Sequence, residues 1–228
     1  MTPRRLADLA WTDVAVHAGT TVLAVPVGST EQHGPHLPLG TDTAVALELA
    51  DRLAAARPDT LVAPPWSYGS SGEHAGFAGT VSIGTRALCD ALVELGRSAD
   101  AFAGVVFVSA HGGNTEALGS ATAKLTAEGR RARWWGPPLV KVRGRADAHA
   151  GFTETSVVMA LTGSDIRGPV GCTAPIRELM PSLVSAGVAA VSPNGVLGDP
   201  SGASPSAGRR ILDAWAADLV ASLAGWPA

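Results

Sequence analysis

The chain has 228 residues, 46% of them hydrophobic and 16% charged, with a formal charge of −3. That length and apolar content can bury one sizeable core, so residues 1–228 are read as a single domain, and the mild negative charge offers no basic field for nucleic acid. No run of about 18 apolar residues argues for a membrane span, and the opening residues Met1–Asp8 lack the apolar stretch of a secretory signal.

Short apolar runs alternate with amphipathic stretches along the chain. Thr21–Val27 reads as a buried strand, and Thr43–Ala56 as a helix capped by Thr41 or Asp42 with Pro58 beyond its end. Leu61–Pro64 is a second strand, followed by a Gly/Ser-rich loop, Tyr68–Gly79. Thr85–Phe102 has helical period. Gly104–Ser109 is β-branched and apolar on both faces, as a fully covered strand should be. A helix over Thr115–Glu128 stops at Gly129. Arg133–Trp135 and Leu139–Val142 are candidate strand pieces, and Thr155–Leu161 opens another helix. Ser192–Gly208 is a long Gly/Pro/Ser loop, and Ala207–Leu223 a last amphipathic helix. Strands alternating with helices predict an α/β domain with a mostly parallel sheet.

Ligands of open α/β sheets sit beyond the carboxyl ends of the strands. Ligand-type residues cluster at three such places. Glu31 and His33, two apart in Gly28-Ser29-Thr30-Glu31-Gln32-His33-Gly34-Pro35-His36-Leu37-Pro38, share one face of an extended segment, and Asp42 follows a Gly/Pro-rich turn. His111 follows the Gly104–Ser109 strand. His149 and Glu154 follow the Leu139–Val142 segment. Mixed carboxylate and imidazole donors suit zinc, iron(II) or manganese better than calcium.

Each residue also has a plainer reading. Asp42 can cap a helix, His111 can close a strand, Asn114 can cap the next helix, and Glu154 can serve the dipole of a first turn. His149 can simply hold the Ala150-Gly151 turn. His36 reads as pocket wall or as a support behind the ligands, His17 as surface, and His74 as either solvated or substrate-facing. Trp66 and Tyr68 lie nearer the rim, Trp134 and Trp135 further off, and all four are read as packing. Arg130, Arg131 and Arg133 read as a solvated helix end. The isolated Cys89 and Cys172 form neither a disulfide framework nor a zinc knuckle, so a reducing cytoplasm is expected. A dinucleotide-binding domain lacks support, because no Gly-x-Gly-x-x-Gly turn follows the first strand.

The long first motif, with Thr41-Asp42, Gly79-Thr80, His111-Gly112-Gly113-Asn114, His149-Ala150-Gly151 and Glu154-Thr155-Ser156, resembles the creatininase family of metal-dependent amidohydrolases. The resemblance spans roughly the first two thirds of the chain. It implies a three-layer α/β/α sandwich and a site for two divalent metal ions. Glu31 and His111 would bind one, His33 the other, and Asp42 both. Creatininases proper carry a Glu two residues after the strand-end His, where this chain has Gly113. That departure puts creatinine hydrolysis in doubt and leaves a vacancy assigned to Glu154. His149 becomes the candidate for moving a proton to the leaving nitrogen or stabilising the oxyanion, and it is grouped with Glu154 as catalytic. Within the family, the short Ala-rich chain resembles the mycofactocin-system branch, whose peptidase releases the valine-tyrosine-derived end of a modified precursor peptide. Rival readings are hydrolysis of a small cyclic or formyl amide, and a metal-binding scaffold without turnover. The family resemblance also implies a homo-oligomer, commonly a hexamer, and the low content of charged residues points the same way.

Overall fold

The computed structural model describes residues 4–138 and 147–227. In chain order the elements are α1 (Trp11–Ala15), β1 (Val22–Val27), α2 (Thr41–Ala56), β2 (Thr60–Val62), α3 (Thr85–Ser98), β3 (Gly104–Ser109), α4 (Thr115–Ala127) and β4 (Ala132–Trp135). Then come α5 (Phe152–Thr162), α6 (Ile176–Ala186), α7 (Val188–Val191) and α8 (Pro205–Ser222). The strands form one parallel sheet in the order β2-β1-β3-β4.

Every residue of β1 and β3 is buried, because helices cover both faces. Alternation along the strands divides the core. Val22, Ala24, Val106 and Val108 pack towards α2, α5 and α8. Leu23, Val25, Val105 and Phe107 pack towards α3 and α4. The result is the expected α/β/α sandwich. Pro26 fits a central strand because its carbonyl turns to the β2 side, accepting from Trp66, where β2 has already ended at Val62.

α2 buries Val45, Ala46, Leu49, Ala50 and Leu53, the spacing of one helical stripe. It starts two residues earlier than the sequence suggests, so Asp42 lies inside its first turn and caps nothing. α3 ends at Ser98, short of Phe102, where Ala99 N–H bonds back to Leu95 and Gly96. α5 begins at Phe152 instead of Thr155, its first turn held by Asp147, which accepts from Thr153 N–H at 2.8 Å. The long loop is irregular only to Ser204, whose hydroxyl accepts from Ala207 N–H at 3.2 Å and starts α8 with Pro205 in the first turn. α6 and α7 escaped the sequence reading because Pro181 and Gly187 interrupt their period. The Leu139–Val142 strand reading lies outside the described residues.

α5 and α8 cross closely. A Cβ at Gly208 would stand 1.9 Å from the Ser156 carbonyl oxygen, so no larger residue fits that crossing. Among the described residues, no helix is long and apolar enough to cross a membrane.

Candidate metal centre

The segment after β1 folds into a tight loop. Glu31 N–H donates to the Leu39 carbonyl at 3.0 Å, which turns the Glu31 and His33 side chains inward, and both are fully buried. His33 Nδ1–H donates to the Glu31 carbonyl at 3.1 Å, and its Nε2 lies 3.3 Å from Asp42 Oδ1. Asp42 arrives from the first turn of α2. Its Oδ2 accepts the Ser29 hydroxyl at 2.6 Å and lies 3.3 Å from His111 Nδ1. His111 leaves the end of β3, with Nε2 2.9 Å from the Ser70 carbonyl and 3.2 Å from Glu31 Oε2. Glu154, in the first turn of α5, accepts from Ala150 N–H and places Oε2 3.9 Å from His33 Nε2.

Ligand atoms of Glu31, Asp42 and His111 lie within 4.8 Å of one another, as do those of His33, Asp42 and Glu154 and those of Glu31, His33 and His149. Asp42 is common to the first two groups. The structure therefore brings together Glu31, His33, Asp42, His111, His149 and Glu154, every residue singled out for the site. The loops are tied by Asn114, also fully buried. Its side-chain amide donates to the Gly28 carbonyl at 3.0 Å and the Ser109 hydroxyl at 3.2 Å, and its oxygen accepts from Ser70 N–H at 2.9 Å. Asn114 thus joins the ends of β1 and β3 to the loop after β2, and it stands at the N-cap position of α4 without a side-chain capping bond.

The electrostatics are those of an anionic cage. Burial pushes Glu31 up to about 8, with His111 and His33 opposing. Burial likewise pushes Glu154 up to about 7, against His33. Burial disfavours imidazolium at His33, but Asp42, Glu154 and Glu31 override it and raise the residue to about 10. His111 is raised in the same way by Glu31 and Asp42. Asp42 is held well below the carboxylate range, because His33 and His111 outweigh its burial. Both Glu31 oxygens are buried and lack a hydrogen-bond partner. Leaving a carboxylate in that state is costly unless a cation meets it. The donor set, with three carboxylates and neutral imidazoles, fits two divalent ions.

Two cavities flank the cluster. Asp42 and Glu154 face a smaller one of about 210 Å³, beside Trp134 and Pro137. Glu31 faces a larger one of about 800 Å³, walled by Ile176, Met180, Leu183 and Val188. His111 and His149 line both.

The sequence reading left His74 open and passed over Gln32. His74 is buried and not solvated, ending a 3₁₀ turn over Gly72–His74, with Nε2 3.6 Å from Glu31 Oε1. Burial and the neighbouring His111 and His33 push it down to about 3. The available signal for Gln32 was its place between Glu31 and His33. His36 bonds Thr155 Oγ1 at 3.1 Å and lines neither cavity. Tyr68 is half exposed, Trp66 packs against the core on the α3 and α4 side with its indole N–H donating to the Tyr68 carbonyl at 2.7 Å, and Trp135 is buried in the core, where its indole N–H donates to Asp218 at 2.8 Å. His17 is exposed.

The family model for creatininase (creatinine amidohydrolase) matches residues 7–223. A mycofactocin precursor peptide peptidase of Mycolicibacterium smegmatis is 52% identical over 206 residues, covering 86% of this chain and 82% of that protein. Another bearing that name, from Mycobacterium ulcerans, is 50% identical over 218 residues, covering 90% and 85%. A solved mutant creatininase of the zinc–zinc type aligns over 100% of both chains with a TM-score of 0.80 and 22% identity, which speaks for the fold. With the match running almost end to end and the strand-end acids and imidazoles gathered around one point, this chain belongs to the creatininase family.

Proposed function

We propose that this chain, acting as one hydrolase domain over residues 1–228, is a metal-dependent peptidase that releases the modified Val-Tyr-derived dipeptide from the C-terminus of the mycofactocin precursor peptide. The observation that carries the chemistry is the Glu31 carboxylate, buried without a partner beside Asp42 and His111 and open to a cavity large enough for a peptide end. The substrate comes from the relatives named for that activity. Gly113 speaks against creatinine. A Cβ there would stand 2.2 Å from the Ser70 carbonyl oxygen, so a Glu at that position does not fit.

In this reading Glu31 and His111 hold one ion, His33 and Glu154 the second, and Asp42 both. Zinc, iron(II) and manganese all suit these donors. When bound, the ions acidify a water and polarise the scissile carbonyl. The Ser29 hydroxyl and the Glu31 carbonyl orient Asp42 and His33. His149, 3.6 Å from Glu31 through Nδ1, takes up a proton there and passes it to the leaving nitrogen. The apolar wall of Ile176, Met180 and Leu183 holds the substrate's side chain and excludes water. We also propose a cytoplasmic homo-oligomer, hexameric as the family resemblance implies, which mass photometry measures directly.

The test is incubation of metal-reconstituted protein with the modified precursor peptide, with creatinine and with formamides, followed by mass spectrometry. Release of the dipeptide is expected. Turnover of a small amide alone would leave the site standing and change the substrate. Inertness of the metal-loaded protein towards all three would favour the scaffold reading.

A further inference from the structure

Gln32 is 5% exposed and sits between two metal-ligand candidates, yet its side chain enters a hydrogen-bond hub. Its Oε1 accepts from Gly34 N–H at 2.7 Å, which fixes the orientation of the amide. Its Nε2 lies 3.0 Å from the Gly195 carbonyl, 2.8 Å from His74 Nδ1 and 3.1 Å from His149 Nε2. Its backbone N–H is anchored on Thr80 Oγ1 at 3.0 Å.

An amide nitrogen has two hydrogens, and counting them leaves one arrangement. A carbonyl only accepts, so one hydrogen goes to Gly195. His149 Nε2 is 2.7 Å from the Gln32 backbone carbonyl and must carry its own hydrogen to bond there. That atom cannot then accept from Gln32, so the second hydrogen goes to His74 Nδ1, which must be bare. His74 therefore carries its hydrogen on Nε2, and His149 keeps a lone pair on Nδ1. These atoms both lie 3.6 Å from Glu31 Oε1, and both residues line the larger cavity.

The Ser192–Ser204 loop completes the hub. Gly195 has φ +78°, and a Cβ there would stand 2.0 Å from Gln32 Oε1, so only glycine brings its carbonyl to Gln32.

We propose that Gln32 is a positioning residue that locks His74 and His149 in the same Nε2–H tautomer but turns opposite ring nitrogens to the cavity, a neutral Nε2–H donor at His74 and a proton acceptor, Nδ1, at His149. The proposal rests on the reading of this site as a hydrolytic centre. A neutral donor beside the scissile carbonyl strengthens its interaction as charge develops on oxygen, while the facing acceptor handles the proton.

Long-range imidazole ¹⁵N spectra of the zinc-loaded protein decide the tautomers directly, with His74→Gln and His149→Gln variants assigning the signals. Wild type is expected to show His74 protonated at Nε2 and His149 protonated at its own Nε2. In Gln32→Glu, which has no side-chain N–H to offer, His74 should move its hydrogen to Nδ1. With two ions still bound, kcat on the peptide should fall by about 10- to 100-fold and KM by little. Protonation at Nδ1 of His74 in the wild type, an unshifted tautomer in Gln32→Glu, or an unchanged kcat would each overturn the proposal. The wild-type spectrum stands even if Gln32→Glu does not fold. It also stands if the substrate assignment fails, so the two ideas fall separately.

Discussion

His33 and Asp42, nine residues apart, meet at 3.3 Å through Nε2 and Oδ1, and the other Asp42 oxygen faces His111 at 3.3 Å. One carboxylate thus stands between imidazoles that arrive from the ends of different strands, where it would serve both ions of the proposed site.

Asp42→Asn keeps the shape and removes the charge. Protein purified without chelator is expected to carry less metal than wild type by elemental analysis, and peptide cleavage is expected to drop by at least about 100-fold. Undiminished metal and activity would show that Asp42 is not a ligand.

Metal-free protein should lose stability as pH rises from 6.5 to about 8. Glu31, Glu154 and His33 have folded values raised above their ordinary ones. Their contributions are present below the unfolded values and are lost as pH climbs through the folded ones. His74 and His149 are depressed, so the folded state binds fewer protons than the unfolded state below 6.5. Their contribution is present above 6.5 and lost as pH falls, which opposes the carboxylates there. Above 6.5 only the raised groups act. Bound ions displace those protons, so the gap in melting temperature between loaded and stripped protein should widen from pH 6.5 to 8. A constant gap in differential scanning fluorimetry would contradict this.

Asn114→Ala leaves the Ser70 N–H and the Gly28 carbonyl without their buried partner. At about 1–3 kcal/mol per orphaned group, a loss of roughly 2–6 kcal/mol in urea unfolding is expected. The first motif should also loosen, so metal affinity falls with it. A change within 0.5 kcal/mol, the ordinary ~0.5 kcal/mol effect of surface substitutions, would argue against the tie.

Val184 is 80% exposed and lines the larger cavity, so a charge there is tolerated by the fold. Val184→Glu is expected to raise KM for the peptide by about 10-fold or more, the effect of one spoiled apolar contact, with metal content unchanged. Unaltered steady-state kinetics would place the substrate elsewhere.

The alternation of β1, α2, β3 and α4 was legible because covered parallel strands are continuous apolar runs and their helices carry a stripe. The metal-centre residues were legible for a related reason: Glu31, His33 and His111 sit directly beyond strand ends, where chain-distant groups converge. His74 was not, because nothing in Ser71-Gly72-Glu73-His74 says whether a Gly-rich loop turns inward, and the partners that bury it come from Gln32 and His149. Gln32 looked like a spacer, since its role depends on a carbonyl 163 residues away. The α6–α7 pair was hidden by Pro181 and Gly187, although it forms the apolar wall of the larger cavity.

Glu154 rides on α5, and α5 is seated on α8 through the bare backbone of Gly208. The tail of the chain, in which no motif could be read, therefore sets the aim of an acid only two residues from the crossing at Ser156. Bulk introduced at that crossing would surface first as weakened cation retention, well before the protein unfolds.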